Sequence, residues 1–191
     1  MTRKTQNAFT LIELLVVIAV IGILAALLLP VLGRAKEQGK TTACISNLRQ
    51  IGVAIQLYVQ ENNNRLPSMA DQYPGVTSQY SGPEIVLSNH LGNVNVLRCP
   101  SDKWKSDTPL PIAAKGATYF DQTGSSYSWP PLINGQDLDH LKVMGINMRK
   151  FPLMTDKEDF HAALGSKKAR NSVYADVHAE RGLSVEAEGA P

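Results

Sequence analysis

Residues 9–30 read Phe9-Thr10-Leu11-Ile12-Glu13-Leu14-Leu15-Val16-Val17-Ile18-Ala19-Val20-Ile21-Gly22-Ile23-Leu24-Ala25-Ala26-Leu27-Leu28-Leu29-Pro30. From Leu14 to Leu29 no side chain is polar. As a helix, Phe9 to Leu29 is about 31 Å long, which matches a bilayer core of about 30 Å. A buried core helix of this length at this position is not expected in so small a chain. Arg3 and Lys4 precede the run, so the N-terminus is expected on the cytoplasmic side and the rest of the chain outside.

Three readings of this segment compete. A secretory signal peptide has a basic start, an apolar core and small residues near its end, a part Ala25-Ala26 can play. Its core is usually about 7–15 residues, shorter than this one, and it has no use for Glu13. A plain signal anchor accepts the length but again not the glutamate. A charge in a membrane helix costs about 2.5–3.5 kcal/mol near the centre and less toward the end. Glu13 therefore asks for a partner, and in the sequence alone only assembly with another chain provides one.

The third reading provides it. Ala8-Phe9-Thr10-Leu11-Ile12-Glu13-Leu14-Leu15-Val16-Val17-Ile18-Ala19 resembles the class III signal of type IV pilins and type II secretion pseudopilins. The resemblance implies a leader, residues 1–8, cut between Ala8 and Phe9 by a prepilin peptidase that also methylates the new amine. Ala8 stands where the family usually has Gly. It further implies that Glu13 neutralises the Phe9 amine of a neighbouring subunit as helices pack into a filament. Phe9 and Glu13 sit about one turn apart, about 6 Å along the axis, so axially shifted chains can pair these groups. Gly22 and Pro30 fall where the family carries helix breakers.

Beyond Pro30 the helix is expected to continue. Cys44, Leu48, Ile51, Ile55 and Tyr58 recur every three to four residues, while Arg49, Gln50, Gln56 and Gln60 lie off that stripe. Asn62-Asn63-Asn64 followed by Pro67 stops it. This divides the chain into a leader 1–8, a transmembrane and assembly helix 9–29, an amphipathic continuation 30–61 and a head 67–191. In the head, Val94–Arg98, Ser126–Trp129, Phe151–Thr155 and Ser172–Glu180 read as strands. Leu138–Met144 reads as a short helix or a loop, and 181–191 as a frayed tail. The fold expected is α+β, a long helix packed on a small antiparallel sheet.

Two stretches of the head, Leu97-Arg98-Cys99-Pro100-Ser101-Asp102 and Val173-Tyr174-Ala175-Asp176-Val177-His178, resemble motifs of a large bacterial pseudopilin-like group. That group's closing strand often reads Ala-Asp-Gly-His-Val, and Val177 stands where its Gly would be.

Composition excludes several classes. The 191 residues are 43% hydrophobic and 19% charged, which fits neither a disordered chain nor a polytopic membrane protein. A formal charge of +2 argues against a nucleic-acid partner. Removing the leader with Arg3 and Lys4 leaves equal numbers of acidic and basic side chains, which suits side-by-side packing. His90, His140, His161 and His178 are scattered without zinc-site spacing, and no nucleophile elbow, P-loop or dinucleotide fingerprint is present. No enzyme activity and no cofactor are expected. Asp156, Glu158 and Asp159, with His161, form an acidic cluster, which is either a solvated loop or, by the resemblance, a candidate calcium site. Asp176 with His178 is a second ligand candidate, set against plain solvent-facing strand residues. Cys44 and Cys99 are either a disulfide tying helix to head or two small buried hydrophobes.

The expected function is thus a structural subunit of a type II secretion pseudopilus or type IV pilus-like filament. Its partners are the prepilin peptidase/N-methyltransferase, other pilin-like subunits and the inner membrane, with the head periplasmic. The rival is a signal-anchored periplasmic binding or sensor domain that does not polymerise.

Overall fold

Helix α1 runs Leu11–Glu61, 51 residues without a break. Pro30 lies inside it and has no backbone N–H to give to the carbonyl one turn back, yet the helical run continues on both sides. The end is set by asparagines: Asn63 and Asn64 adopt φ of 52° and 61°, and the Asn64 N–H turns back onto the Val59 carbonyl at 3.0 Å. The structure is a computed structural model that describes residues 10–71, 78–104, 118–138, 142–143, 146–147, 151–165 and 169–182.

The chain divides into two compact units between Lys36 and Glu37. In the first, every side chain from Leu11 to Leu32 is exposed. In the second, α1 turns one face inward through Thr41, Cys44, Leu48, Ile51, Ile55 and Val59. Fully burying each of the larger aliphatic side chains contributes about 1.5–3 kcal/mol, so packing rather than helix propensity holds this half. Tyr58 is only half-buried and meets the His90 ring edge-on at 5.7 Å.

Among the described residues, two short helices, α2 (Pro83–Val86) and α3 (Tyr119–Thr123), precede or join six strands: β1 Tyr127–Ser128, β2 Lys142–Val143, β3 Ile146–Asn147, β4 Pro152–Asp156, β5 Asn171–Tyr174 and β6 Ala179–Arg181. β1, β4, β5 and β6 form one antiparallel sheet in the order β1-β4-β5-β6, with a register shift between Pro152 and Met154. β2 and β3 pair separately. Helix and sheet pack tightly at Gly52, where a Cβ would lie 2.9 Å from Val173 Cγ2 and 3.3 Å from Cγ1 of Val177 in the β5–β6 turn. The α+β class expected from the sequence is the one observed.

Several elements differ from expectation. Val94–Leu97 is a 3-10 turn, not a strand. The Asn93 side chain caps it by accepting from the Asn95 N–H, and Val96 and Leu97 are both buried, a pattern no alternating strand produces. The supposed strand Ser172–Glu180 is two strands joined by a turn at Ala175–His178. Arg181, read as the start of a tail, pairs with Asn171 in β6. Within Leu138–Met144, Lys142 and Val143 are strand, and residues 183–191 lie outside the described residues.

Candidate functional site

The exposed apolar helix begins with a local hydrogen-bond pair. Thr10 is the residue before α1, and Glu13 is its third helical residue. The Thr10 backbone N–H donates to Glu13 Oε2 at 2.8 Å and its hydroxyl to the same oxygen at 2.6 Å. The Glu13 N–H lies 3.3 Å from Thr10 Oγ1. This is a reciprocal capping box, which satisfies helix-end donors that lack intrahelical partners. It corrects one inference from the sequence: Glu13 has a partner within its own chain, so the carboxylate alone does not demand assembly. The Thr-x-x-Glu spacing that signals such a box stands openly in the sequence. Ala8 and Phe9, the expected processing residues, lie outside the described residues. Among the described residues, nothing beyond the helix's own neighbouring backbone would lie within 4 Å of a Cβ at Gly22.

Residues 3–29 match the family described as "Prokaryotic N-terminal methylation motif". The type II secretion system core protein G of Pseudomonas aeruginosa is 39% identical over 62% of this chain and 75% of its own length. The core protein G of Klebsiella pneumoniae is 32% identical over 56% of this chain and 75% of that relative. The Escherichia coli core protein G is 30% identical over 55% and 71%. The chain belongs to this family of pseudopilins. No solved structure matches it.

In this pseudopilin the head motif around Cys99 has structural tasks at Cys99, Ser101 and Asp102. The sulfurs of Cys44 and Cys99 are bonded, joining α1 to the segment after the 3-10 turn across 55 residues of sequence, with Cα atoms 5.2 Å apart. The Ser101 hydroxyl donates to Glu37 Oε1 at 2.7 Å. The Asp102 carboxylate accepts the Tyr119 and Phe120 N–H groups at 3.0 and 2.9 Å and the Ser126 hydroxyl at 2.6 Å, holding the start of α3.

Behind the disulfide, His161 is fully buried. Its Nδ1 lies 3.0 Å from both Thr41 Oγ1 and Glu37 Oε1. Its Nε2 faces Cys99 Sγ at 3.5 Å and Asp156 Oδ2 at 3.7 Å. Asp156 is buried, and its Oδ2 accepts the Asn171 N–H and side-chain amide at 2.7 and 3.0 Å. Burial pushes its carboxyl up to about 8, against the opposing pull of the Asn171 bonds. Burial pushes the His161 imidazole down, against the pull of Glu37. For Glu37, burial acts upward, but hydrogen bonds from Ser101 and His161 and the nearby Lys40 hold it below its ordinary value.

The three acids of the expected calcium cluster are each engaged by other side chains or backbone groups. Asp156 is inside, Asp159 Oδ1 pairs with Arg170 Nε at 2.7 Å, and Glu158 accepts the Tyr119 hydroxyl at 3.3 Å and lies 3.9 Å from Arg170. Glu158 and Asp159 thus both reach Arg170, while Asp156 is buried. Asp176 and His178 hydrogen-bond to each other on the exposed β5–β6 turn, with the imidazole stacked on Tyr174 at 4.2 Å. Val177 takes φ of 70° there, a left-handed conformation that costs a β-branched residue about 1–2 kcal/mol. The turn forms with Val where the resembling motif has Gly.

Proposed function

We propose that this pseudopilin is a structural subunit of a type II secretion pseudopilus and not a catalyst. It is made with a short leader, cut between Ala8 and Phe9, methylated on the new amine and polymerised through its N-terminal helix with other pilin-like subunits. The observation that carries this reading is the match to core protein G over three quarters of the Pseudomonas relative, together with a helix whose side chains from Leu11 to Leu32 are all exposed among the described residues. α1 is long and apolar enough to cross a membrane, and none of that apolar window is buried. Before assembly the lipid of the inner membrane covers it, with the head periplasmic; in the filament, neighbouring helices do. A signal-anchored sensor domain would share the helix and the capping box but not the leader processing.

Two measurements on membranes from expressing cells test this. N-terminal mass spectrometry is expected to find a methylated Phe9. Crosslinking is expected to find ladders of subunits. An intact Met1 together with monomer alone would establish the anchored domain instead.

A further inference from the structure

We propose that, when Cys44 and Cys99 are reduced, they and His161 form a buried site for a thiophilic divalent cation such as zinc, completed by Asp156. The ligand atoms of Cys44, Cys99 and His161 all lie within 4.8 Å of one another, and all three residues are buried. A tetrahedral site with metal–sulfur bonds of about 2.3 Å and metal–nitrogen bonds of about 2.0–2.1 Å sets its sulfur and nitrogen about 3.5 Å apart. His161 Nε2 and Cys99 Sγ stand at 3.5 Å.

The tautomer of His161 points the same way. The Thr41 hydroxyl donates to the Glu37 carbonyl at 2.9 Å, so toward the imidazole it accepts. The Glu37 carboxylate also accepts. Both therefore call for a proton on Nδ1, which leaves the lone pair of Nε2 aimed at sulfur. A histidine ligand typically has this arrangement, with its far N–H held by a carboxylate that fixes the ring. In the disulfide form that lone pair faces Cys99 Sγ at 3.5 Å and Asp156 Oδ2 at 3.7 Å. Asp156 supplies an independent sign: its Oδ1 is buried with no hydrogen-bond partner among the described residues, while Oδ2 lies 3.7 Å from the same Nε2. Two thiolates, an imidazole and a carboxylate are a donor set suited to zinc.

Metal and disulfide are alternatives at one place. A protein disulfide oxidant that takes two electrons from the bound dithiolate forms the S–S bond, releases the ion and is itself reduced to a dithiol with two protons from solvent. The site requires no change in the proposed filament role.

The test uses the full-length protein in detergent, reduced anaerobically with a phosphine and then freed of reductant. Cobalt(II) is added first as the spectroscopic probe. The reduced protein is expected to take up one ion per chain with the intense visible bands of tetrahedral cobalt and thiolate-to-metal charge transfer, both bleached by zinc(II). The oxidised protein and the Cys44→Ser/Cys99→Ser variant are expected to show neither. Glu37→Gln is expected to weaken binding by about tenfold or more through the loosened imidazole. Zinc is also expected to raise the melting temperature of the reduced parent and leave that of the oxidised parent unchanged, a readout that depends on no variant folding. Absence of the bands in the reduced parent, an equal melting shift in the oxidised form, or unchanged binding in a folded His161→Gln variant would overturn the proposal.

Discussion

Thr10 Oγ1 donates to Glu13 Oε2 at 2.6 Å, tying the carboxylate at the head of α1 to the residue that caps the same helix. Glu13 therefore has two tasks that two substitutions separate. Glutamine also serves in a capping box, so Glu13→Gln keeps the cap and loses only the charge. Thr10→Val keeps the charge and breaks the hydroxyl part of the cap, at a cost of about 1 kcal/mol to the helix end. Thr10→Val is expected to polymerise close to normally. Glu13→Gln is expected to be cut but not to polymerise, because a buried amine without its counter-charge typically costs about 3–5 kcal/mol. Subunit crosslinking beside a blot for the processed form distinguishes them. Normal ladders from Glu13→Gln would reduce Glu13 to a cap.

The Cys44–Cys99 bond closes a loop of 55 residues between α1 and the head. Chain-entropy arguments put its contribution at about 4 kcal/mol. The Cys44→Ala/Cys99→Ala protein is expected to unfold at a clearly lower urea concentration than the oxidised parent. In the presence of a reductant and a metal chelator, the parent is expected to fall to the variant's midpoint. A parent whose midpoint is indifferent to reductant would show that packing, not the bond, anchors the helix.

How far the sequence reaches can be seen at particular residues. The apolar run and the Cys44–Leu48–Ile51–Ile55 stripe are periodic signals, and the structure buries those stripe residues. Strand boundaries were harder. Val173, Ala175, Val177 and Ala179 alternate through a turn, because the alternation does not reveal that Val177 adopts a positive φ. Val94–Leu97 alternates too, but the Asn93 cap redirects the backbone. The cluster of Glu37, Thr41, Cys99, Asp156 and His161 is invisible for another reason: its members come from positions as much as 124 residues apart, and only the fold brings them together.

Gly52 marks where α1 and β5 touch. A Cβ there would fall 2.9 Å from Val173 Cγ2, and a valine methyl has nowhere flexible to retreat. Gly52→Leu is expected to destabilise the head by about 1–3 kcal/mol, the usual result of overfilling a packed core. Combining it with Val173→Ala is expected to recover part of the loss. Urea unfolding of the two proteins checks this, and additive losses would place the helix–sheet contact elsewhere.

Asp156 and His161 predict how stability varies with pH in the disulfide form under chelator. Around them, Glu37, Lys40, Asp102, Arg170 and Arg181 supply the charged surroundings. Asp156 is protonated in the folded chain up to about 8, whereas the unfolded side chain ionises near 3.8. Its contribution is full below 3.8 and declines as pH rises toward about 8, by at most about 1.4 kcal/mol per unit. His161 acts in the opposite sense: it is neutral when folded and takes up a proton when unfolded below 6.5, so its contribution is lost as pH falls beneath that value. Glu37, held low, titrates below this window. The two slopes oppose each other at mildly acid pH, and only that of Asp156 remains from 6.5 to about 8. Unfolding free energy measured in urea is therefore expected to be nearly level on the acid side of 6.5 and to fall on the alkaline side. Asp156→Asn is expected to abolish the alkaline fall and to uncover a loss on acidification from His161 alone. A parent that is level through both ranges would mean that Asp156 is ionised in the fold and that His161 takes up its proton there as it does in the unfolded chain.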